Sequence, residues 1–557
     1  MLQVKAILGE PTVGEMQEAL KRLPSTLNGA IEETIQRIEK QPEGRMRLGM
    51  NVLMWITHAK RPLLVTELSD ALAMRPRNTF LVSAFRPSKK SIIGCCQGLV
   101  VVDEENAIIR FVHYSVQEYF REHHEQSFPS GEQILGSTSL TCLMFDTYNQ
   151  GCCQSQEEVQ CKFRESPFVT YAARYWGDHV RNADRETLND LALVFLKAER
   201  KRSSAYQICQ FMRNHKVGLW EAEEAKSRNG LHMAAFFGLE AIGLQLLKSG
   251  ELDIDSLTKN GENALMISAA RGQTDFVLML LGQEADPSMN GHFGTAMDCA
   301  AESGKTQAVV ALLESGTDPN VKNQRGQTAL HLATGAGHPH VMRALLSRGA
   351  DLNAGSDHTR NVLFSAIVWE QSIDVLNILL EYGADIDARY TGGRTMLHLA
   401  AERNCVAFIN LLLARGAPRE ALSSQGVTAL YSAAEFEHHE AVQILASECA
   451  NVDAADRDGR TPLLLATIRN QERIVQILLD AGADVATKSN TGLSALESAV
   501  NNPSRIAAQL VLRHFLINTP HALDTSALRA ARAQSNIHTD SRTKQNKPVR
   551  NSRFTHT

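Results

Sequence analysis

Between residues 225 and 518 apolar and small residues fall into two short helical stripes per block, separated by glycine, and the block recurs. The octet Leu330-His-Leu-Ala-Thr-Gly-Ala-Gly337 shows the first stripe. Its leading position returns as Leu231, Leu265, Met297, Leu330, Leu363, Leu397, Leu430, Leu463 and Leu496, so consecutive copies lie 32 to 34 residues apart. A period of that length marks a stacked repeat array, in which one unit cannot bury its apolar face without its neighbours.

The copy around Leu330 gives the local logic. Gly326 supplies the positive φ of a tight turn, and Thr328 stands where a helix needs an N-cap. Ala329, Ala333 and Ala336 keep the first helix slim enough for close packing, and Gly337 ends it. Pro339 suits the first turn of a second helix, Val341, Leu345 and Leu346 form its buried stripe, and Gly349 stops it. The turn glycine is replaced by Ser227, Phe293 and Thr359 in copies one, three and five, which predicts irregular hairpins there. The ninth copy lacks the Gly-Ala-Asp ending and is expected to act as a terminal cap.

These residues resemble the ankyrin repeat, with its G-x-T-P-L-H-x-A-A-x-x-G opening and L-L-x-x-G-A-D ending. The resemblance implies a solenoid that binds other proteins through hairpin tips and inner helices lining a concave groove, and that catalyses nothing. The candidate partner-binding surface is then His292, Phe293, Arg325, His358, Arg360, Tyr390 and Arg457 at the tips, with Trp369, Arg403 and Phe436 on the inner helices. Trp369 and Phe436 are the preferred anchors, because exposed aromatics dominate binding energy at interfaces.

Before the repeats the pattern changes. An apolar helix at 49–56, a helix at 64–73 with Thr66 as its N-cap, a third at about 91–97, two β-rich runs within 98–113 and a helix from Ser115 predict a winged-helix shape. Trp55-Ile-Thr-His-Ala-Lys-Arg-Pro-Leu63, Glu67-Leu-Ser-Asp-Ala-Leu72, Gly98-Leu-Val-Val-Val-Asp103 and Val112-His-Tyr-Ser-Val-Gln-Glu-Tyr-Phe120 resemble the region that follows the NTPase in fungal NACHT-ankyrin proteins, the GPI inositol-deacylase winged-helix type. No hydrolase residues accompany that resemblance, so no deacylase activity is implied. The expected fold class is mainly α: a helical arm (1–45), a winged-helix-like α+β domain (46–125), a helical connector (126–224), an ankyrin-repeat solenoid (225–518) and a disordered basic tail (519–557).

Chemistry adds little to this picture. Gly304-Lys305-Thr306 imitates the end of a phosphate loop, but Cys299 stands where its first glycine belongs. Gln443 breaks the zinc-helix spacing begun by His439-Glu440, and Cys142, Cys152, Cys153 and Cys161 lack paired C-x-x-C spacing. No catalytic residue, metal site or cofactor is predicted, and the chain reads as a non-enzyme. With 57 Lys and Arg against 62 Asp and Glu there is no global basic field, and the helix near Ser91 offers only Lys89 and Lys90 to a groove, so direct nucleic-acid binding is not expected.

The ten cysteines read as reduced thiols, and Met1–Glu10 lacks the apolar core of a secretory signal. The expected location is intracellular, cytoplasmic or nuclear, without membrane contact or small-molecule substrate. From Pro520 onward seven basic residues face two acidic ones, a candidate nuclear-import segment. Three functions remain open: a protein-binding scaffold or adaptor, the regulatory and sensing portion of a NACHT-type signalling NTPase without its nucleotide-binding half, and an ankyrin-type transcription co-regulator.

Overall fold

The computed structural model describes residues 27–75, 78–183, 185–214, 219–354, 362–369, 371–448, 451–502 and 505–518. The chain divides into two compact units, one of residues 1–300 and 307–317, the other of 301–306 and 318–557.

The first unit opens with α1 (Leu27–Glu39) and α2 (Glu43–His58). Pro62 follows shortly after α2, whose C-cap Ala59 is already extended. β1 (Leu63–Leu64), α3 (Val65–Ala73), α4 (Lys89–Cys95), β2 (Val100–Asp103), β3 (Ile108–Phe111) and α5 (Tyr114–Ser127) complete a winged-helix domain. Its antiparallel sheet runs in the order β1-β3-β2. The two-stranded wing expected from the sequence therefore gains a third strand, because Leu63 and Leu64 pair with Ile109 and Ile108.

That pairing also moves the start of α3. Leu64, not Thr66, occupies the N-cap, and the Glu67 carboxylate accepts the Leu64 N–H at 2.9 Å. Thr66 lies inside the helix, where its hydroxyl cannot cap. Glu67 also receives both terminal nitrogens of Arg61 and the hydroxyl of Thr170, joining the winged helix to the segment behind it.

That segment consists of α6 (Gly131–Leu143), α7 (Gln156–Glu165), α8 (Val169–Asn182), α9 (Arg185–Lys197), α10 (Glu199–Asn214) and α11 (Leu219–Ser227). Fully buried Trp55 of the winged helix meets Phe168 edge-on, with ring centroids 5.3 Å apart. Beside it, Glu132 accepts from His179 Nδ1 at 2.5 Å and from Lys60 Nζ at 2.8 Å. The Tyr171 hydroxyl links His179 Nε2 (2.8 Å) to the Lys60 amide (3.0 Å). Burial alone would raise the Glu132 pKa, but hydrogen bonds from His179, His58 and Lys60 hold it well below the ordinary carboxylate range. Burial keeps His179 neutral, so the His179–Glu132 contact is a hydrogen bond more than an ion pair.

The first three repeats follow as α12 (Gly230–Phe237) with α13 (Glu240–Lys248), α14 (Ala264–Arg271) with α15 (Thr274–Gly282), and α16 (Ala296–Glu302) with α17 (Thr306–Glu314). Gly177 of α8 sets the docking of the first copy, because a Cβ there would stand 2.1 Å from the Phe237 ring. Arg228 closes the same junction, pairing with Glu224 and Glu262 and lying 4.6 Å over the Tyr206 ring. Two of the three irregular hairpins are accounted for. Helix α11 runs to Ser227 in place of the first hairpin, and in the third a tight bridge between Gly291 and Gly294 turns the chain. The fifth, at Thr359, lies outside the described residues.

The second unit carries α18 (Ala329–Gly335), α19 (Pro339–Ser347), α20 (Val362–Val368), α21 (Ile373–Glu381), β4 (Arg389–Tyr390), β5 (Arg394–Thr395), α22 (Met396–Glu402), α23 (Val406–Ala414), α24 (Ala429–Glu435), α25 (His439–Glu448), α26 (Pro462–Arg469), α27 (Glu472–Asp480), α28 (Ala495–Asn501) and α29 (Ile506–Asn518). Pro339 and Pro462 sit in the first turns of α19 and α26, where a missing N–H costs nothing. The register leucines Leu330, Leu363, Leu397, Leu430 and Leu463 are almost wholly buried.

Polar lacing repeats with the same period. Ser424 N–H donates to Gly392 O (2.7 Å), Arg457 N–H to Gln425 O (3.3 Å) and Asn490 N–H to Asp458 O (2.9 Å), binding one hairpin tip to the next. Nearer the outer helices, the Asp453 carboxylate accepts the Asp484 N–H. His398 Nδ1 accepts from the Thr395 N–H and its Nε2–H donates to Val427 O of the next copy at 2.9 Å.

In the first repeat His232 plays the same part, with Nδ1 on the Asn229 N–H and Nε2 on Ser256 O. Burial lowers its pKa to about 4. A depressed histidine contributes stability that is present above its unfolded pKa of about 6.5 and is lost as pH falls from there toward the folded value. Urea unfolding at fixed ionic strength should therefore show stability declining from about pH 7 to pH 4, with a shallower decline in His232→Gln.

Candidate protein-interaction surface

The inner helices α20, α22, α24 and α26 end in a column of residues, each six positions after its register leucine: Trp369, Arg403, Phe436 and Arg469. Where each helix stops, its last carbonyls are left without intrahelical donors. The next copy supplies them. Arg403 Nη1 donates to Val368 O at 3.0 Å, and Arg469 Nη1 donates to Glu435 O. Val368 and Glu435 immediately precede Trp369 and Phe436, so each aromatic has the following copy's guanidinium against its own backbone. A cation at a helix C-terminus is also favoured by the helix dipole.

Both rings remain in water. Trp369 is 65% exposed, with its indole edge over Gly335, and Phe436 is 48% exposed, its ring stacked toward His438. His438 is itself fixed, with Nε2 2.9 Å from Glu402 O. The column thus alternates exposed ring and tethered guanidinium over four copies. Arg469 was not among the residues singled out in the sequence, although counting six from Leu463 finds it.

The tip residues divide. Arg325 and Arg457 are exposed in the second unit. Arg457 is placed by its main chain, whose carbonyl accepts from Asn490 Nδ2 at 2.9 Å. In the first unit His292 is exposed, with Nδ1 2.9 Å from Asn260 O, and Phe293 is 55% exposed beside it. His358 and Arg360 lie outside the described residues. Tyr390 does not belong to the surface: only 9% of it is exposed, its ring meets Phe364 at 5.4 Å, and its hydroxyl donates to Glu402. As the last residue of β4 it points inward, where Arg394 also pairs with Glu402.

Residues 231–323, 296–390 and 387–456 match the family profile for ankyrin repeats in three copies, and residues 458–490 match that of the single ankyrin repeat. This stretch is built of ankyrin repeats. Residues 37–128 match the GPI inositol-deacylase winged helix domain. The chain is similar to the B-cell lymphoma 3 protein homolog of Mus musculus, 29% identical over 171 residues that make up 30% of this chain and 38% of that protein. It is also similar to the Transient receptor potential cation channel subfamily A member 1 homolog of Caenorhabditis elegans (27% identity, 41% of this chain, 18% of that protein). A third relative is the Nuclear factor NF-kappa-B p105 subunit of Gallus gallus (31% identity, 26% of this chain, 16% of that protein). The chain spans less than half the length of each.

Ankyrin repeats are protein-interaction modules, and that is the role they give this chain. Among the described residues no cluster of three or more His, Cys, Asp or Glu side chains is arranged to hold a metal ion. The cysteines weighed as ligands have different surroundings: Cys142 faces Ser166, Cys152 faces Ala222 O, the Cys153 backbone meets Gln207, and Cys161 is exposed. Gly304 adopts a φ of +70° in the turn between α16 and α17, a repeat turn and not a phosphate cradle. No described helix is long and apolar enough to cross a membrane.

Trp369 lies mostly in water and Phe436 about half so, and Trp369→Ala should therefore shift the chain's unfolding free energy by no more than about 0.5 kcal/mol and Phe436→Ala by about 1 kcal/mol. Denaturant melts of the single variants check this.

Proposed function

We propose that this chain is a non-enzymatic intracellular scaffold or adaptor that holds a partner protein on the inner-helix ends of its ankyrin repeats. The observation that carries the reading is the pairing of Trp369 and Phe436, two exposed aromatics at one register position, two copies apart, each backed by an arginine. Such a surface is already ordered before a partner arrives, so little conformational entropy is lost on binding. Exposed rings on a fixed backbone are the residue types that act as anchors. Arg325, Arg457, His292 and Phe293 extend the contact at the tips. The partner is another protein, neither a small-molecule substrate nor a nucleic acid.

Full-length chain should capture a partner from extract, and the Trp369→Ala/Phe436→Ala double variant should lose it while it stays folded and unfolds in the same cooperative transition. Capture equal to the parent by that double variant rejects these anchors.

A second reading rests on the winged-helix match at 37–128 in front of the repeats. On it, the chain is the regulatory and sensing portion of a NACHT-type signalling NTPase, and the transcript upstream of Met1 encodes a phosphate-binding loop. Sequencing full-length transcripts decides between the two: an in-frame stop just before Met1 removes the second reading. The repeat similarity to a nuclear factor subunit supports a co-regulator role, for which the tagged full-length chain must enter the nucleus.

A further inference from the structure

In five successive copies the carbonyl five places after the register leucine, left over at the end of the short inner helix, is served by a side chain of the following copy. Gln371 Nε2 donates to Gly335 O (2.9 Å), Arg403 Nη1 to Val368 O (3.0 Å) and His438 Nε2 to Glu402 O (2.9 Å). Arg469 Nη1 donates to Glu435 O and Arg505 Nη1 to Ile468 O. An uncharged donor suffices for this task, as Gln371 shows. Three of the five donors are nonetheless arginines, and each commits only Nη1 of its five-donor fork to the carbonyl.

The rest of each fork faces water. Arg403, Arg469 and Arg505 are all exposed. Among the described residues Arg403 and Arg505 meet no carboxylate, and Arg469 has Glu435 at 3.5 Å. Glu402, on the same helix end as Arg403, is held inward by Arg394 and Tyr390 and does not neutralise it. Exposed Glu437 belongs to the turn beyond Phe436. A guanidinium already fixed by one hydrogen bond, with its remaining N–H groups in water, suits a carboxylate and loses little rotamer freedom on meeting it.

These cations interleave with the exposed rings. From the fifth copy to the ninth the order is Trp369, Arg403, Phe436, Arg469 and Arg505, one residue per copy. Helices packed side by side lie about 8 to 10 Å apart, which sets the interval between these positions. A polyproline-II strand advances about 9 Å in each turn of three residues, so every third side chain returns to the same face at that interval.

Resting on the reading of the inner-helix ends as a protein-binding surface, we propose that their occupant is an extended acidic segment in which every third residue contacts the repeats. Apolar residues of the segment lie over Trp369 and Phe436, and its Asp or Glu residues meet Arg403, Arg469 and Arg505. A basic or uncharged segment of the same shape leaves the guanidiniums desolvated without a counter-charge.

Fluorescence anisotropy on the full chain tests this with three synthetic peptides and single-stranded oligothymidylate. The first peptide carries Leu, Glu, Leu, Glu and Glu at every third position with Pro or Ser between; the second carries the same five at every fourth position; the third replaces Glu by Lys. The first should bind about tenfold more tightly than the other three probes, and weaken as salt is raised. Arg403→Gln/Arg469→Gln, which keeps a donor for both carbonyls, should unfold cooperatively and bind that peptide about tenfold more weakly. Equal binding of the two spacings, of the Glu and Lys forms, or of oligothymidylate overturns the proposal, as does no binding by any probe. Loss in Trp369→Ala/Phe436→Ala without loss in the glutamine variant overturns the acidic occupant and leaves the ring anchors standing. Binding untouched by either double variant overturns both.

Discussion

The physical constraint behind this molecule is that a pair of short helices cannot bury its own apolar surface. An inner helix of seven or eight residues, such as Ala429–Glu435, is far too short to persist alone in water. It is stable because Leu430, Ala433 and Ala434 are pressed between neighbouring pairs. The small residues follow from that requirement, since helices must approach closely for so little side chain to fill the gap. Each copy is then as stable as its contacts, and a copy without a successor is left with an open face.

Polar groups obey the same period. Backbone amides in the hairpin tips cannot be satisfied within a hairpin of this length, so they bond to the adjacent tip, as Ser424 does to Gly392 and Asn490 to Asp458. Inner-helix carbonyls, orphaned by the short helix, take their donors from the next copy through Arg403, Arg469 and His438. The candidate interaction surface is a by-product of this accounting. Where the residue at the helix end is aromatic and the carbonyl of the residue before it is already served, as at Trp369 and Phe436, the ring remains outside.

In the front half the ordering principle is different. The winged helix and the helices behind it are joined by two acids that each take several donors, Glu67 from Arg61 and Thr170 and Glu132 from His179 and Lys60, while buried Asp70 pairs with Arg86 inside the winged helix. Such clusters fix geometry more than they add stability, because desolvating the charges offsets much of the attraction. None of these residues has a spacing that announces a partner: Glu132 and His179 are 47 positions apart, and Lys60 is 72 from Glu132.

The repeat architecture was legible in the sequence because its contacts are local and periodic. Leu330 meets residues that its own pattern predicts one copy away, and Pro339 and Gly326 mark their turns by backbone restriction alone. The winged helix was legible in outline, but β1 was not, since a two-residue strand has no pattern of its own and exists only because β3 lies beside it. The same holds for the surface. Tyr390 and Trp369 look alike in the sequence, one aromatic near a turn and one at a helix end; the carboxylate of Glu402 and the ring of Phe364 draw the first inward, while among the described residues no such partner covers the second. Sequence alone determined the period, the turns and the identity of the buried stripe, which depend on neighbours along the chain. Tertiary structure decided which polar groups meet and which aromatic faces water, because those depend on neighbours that only folding brings together.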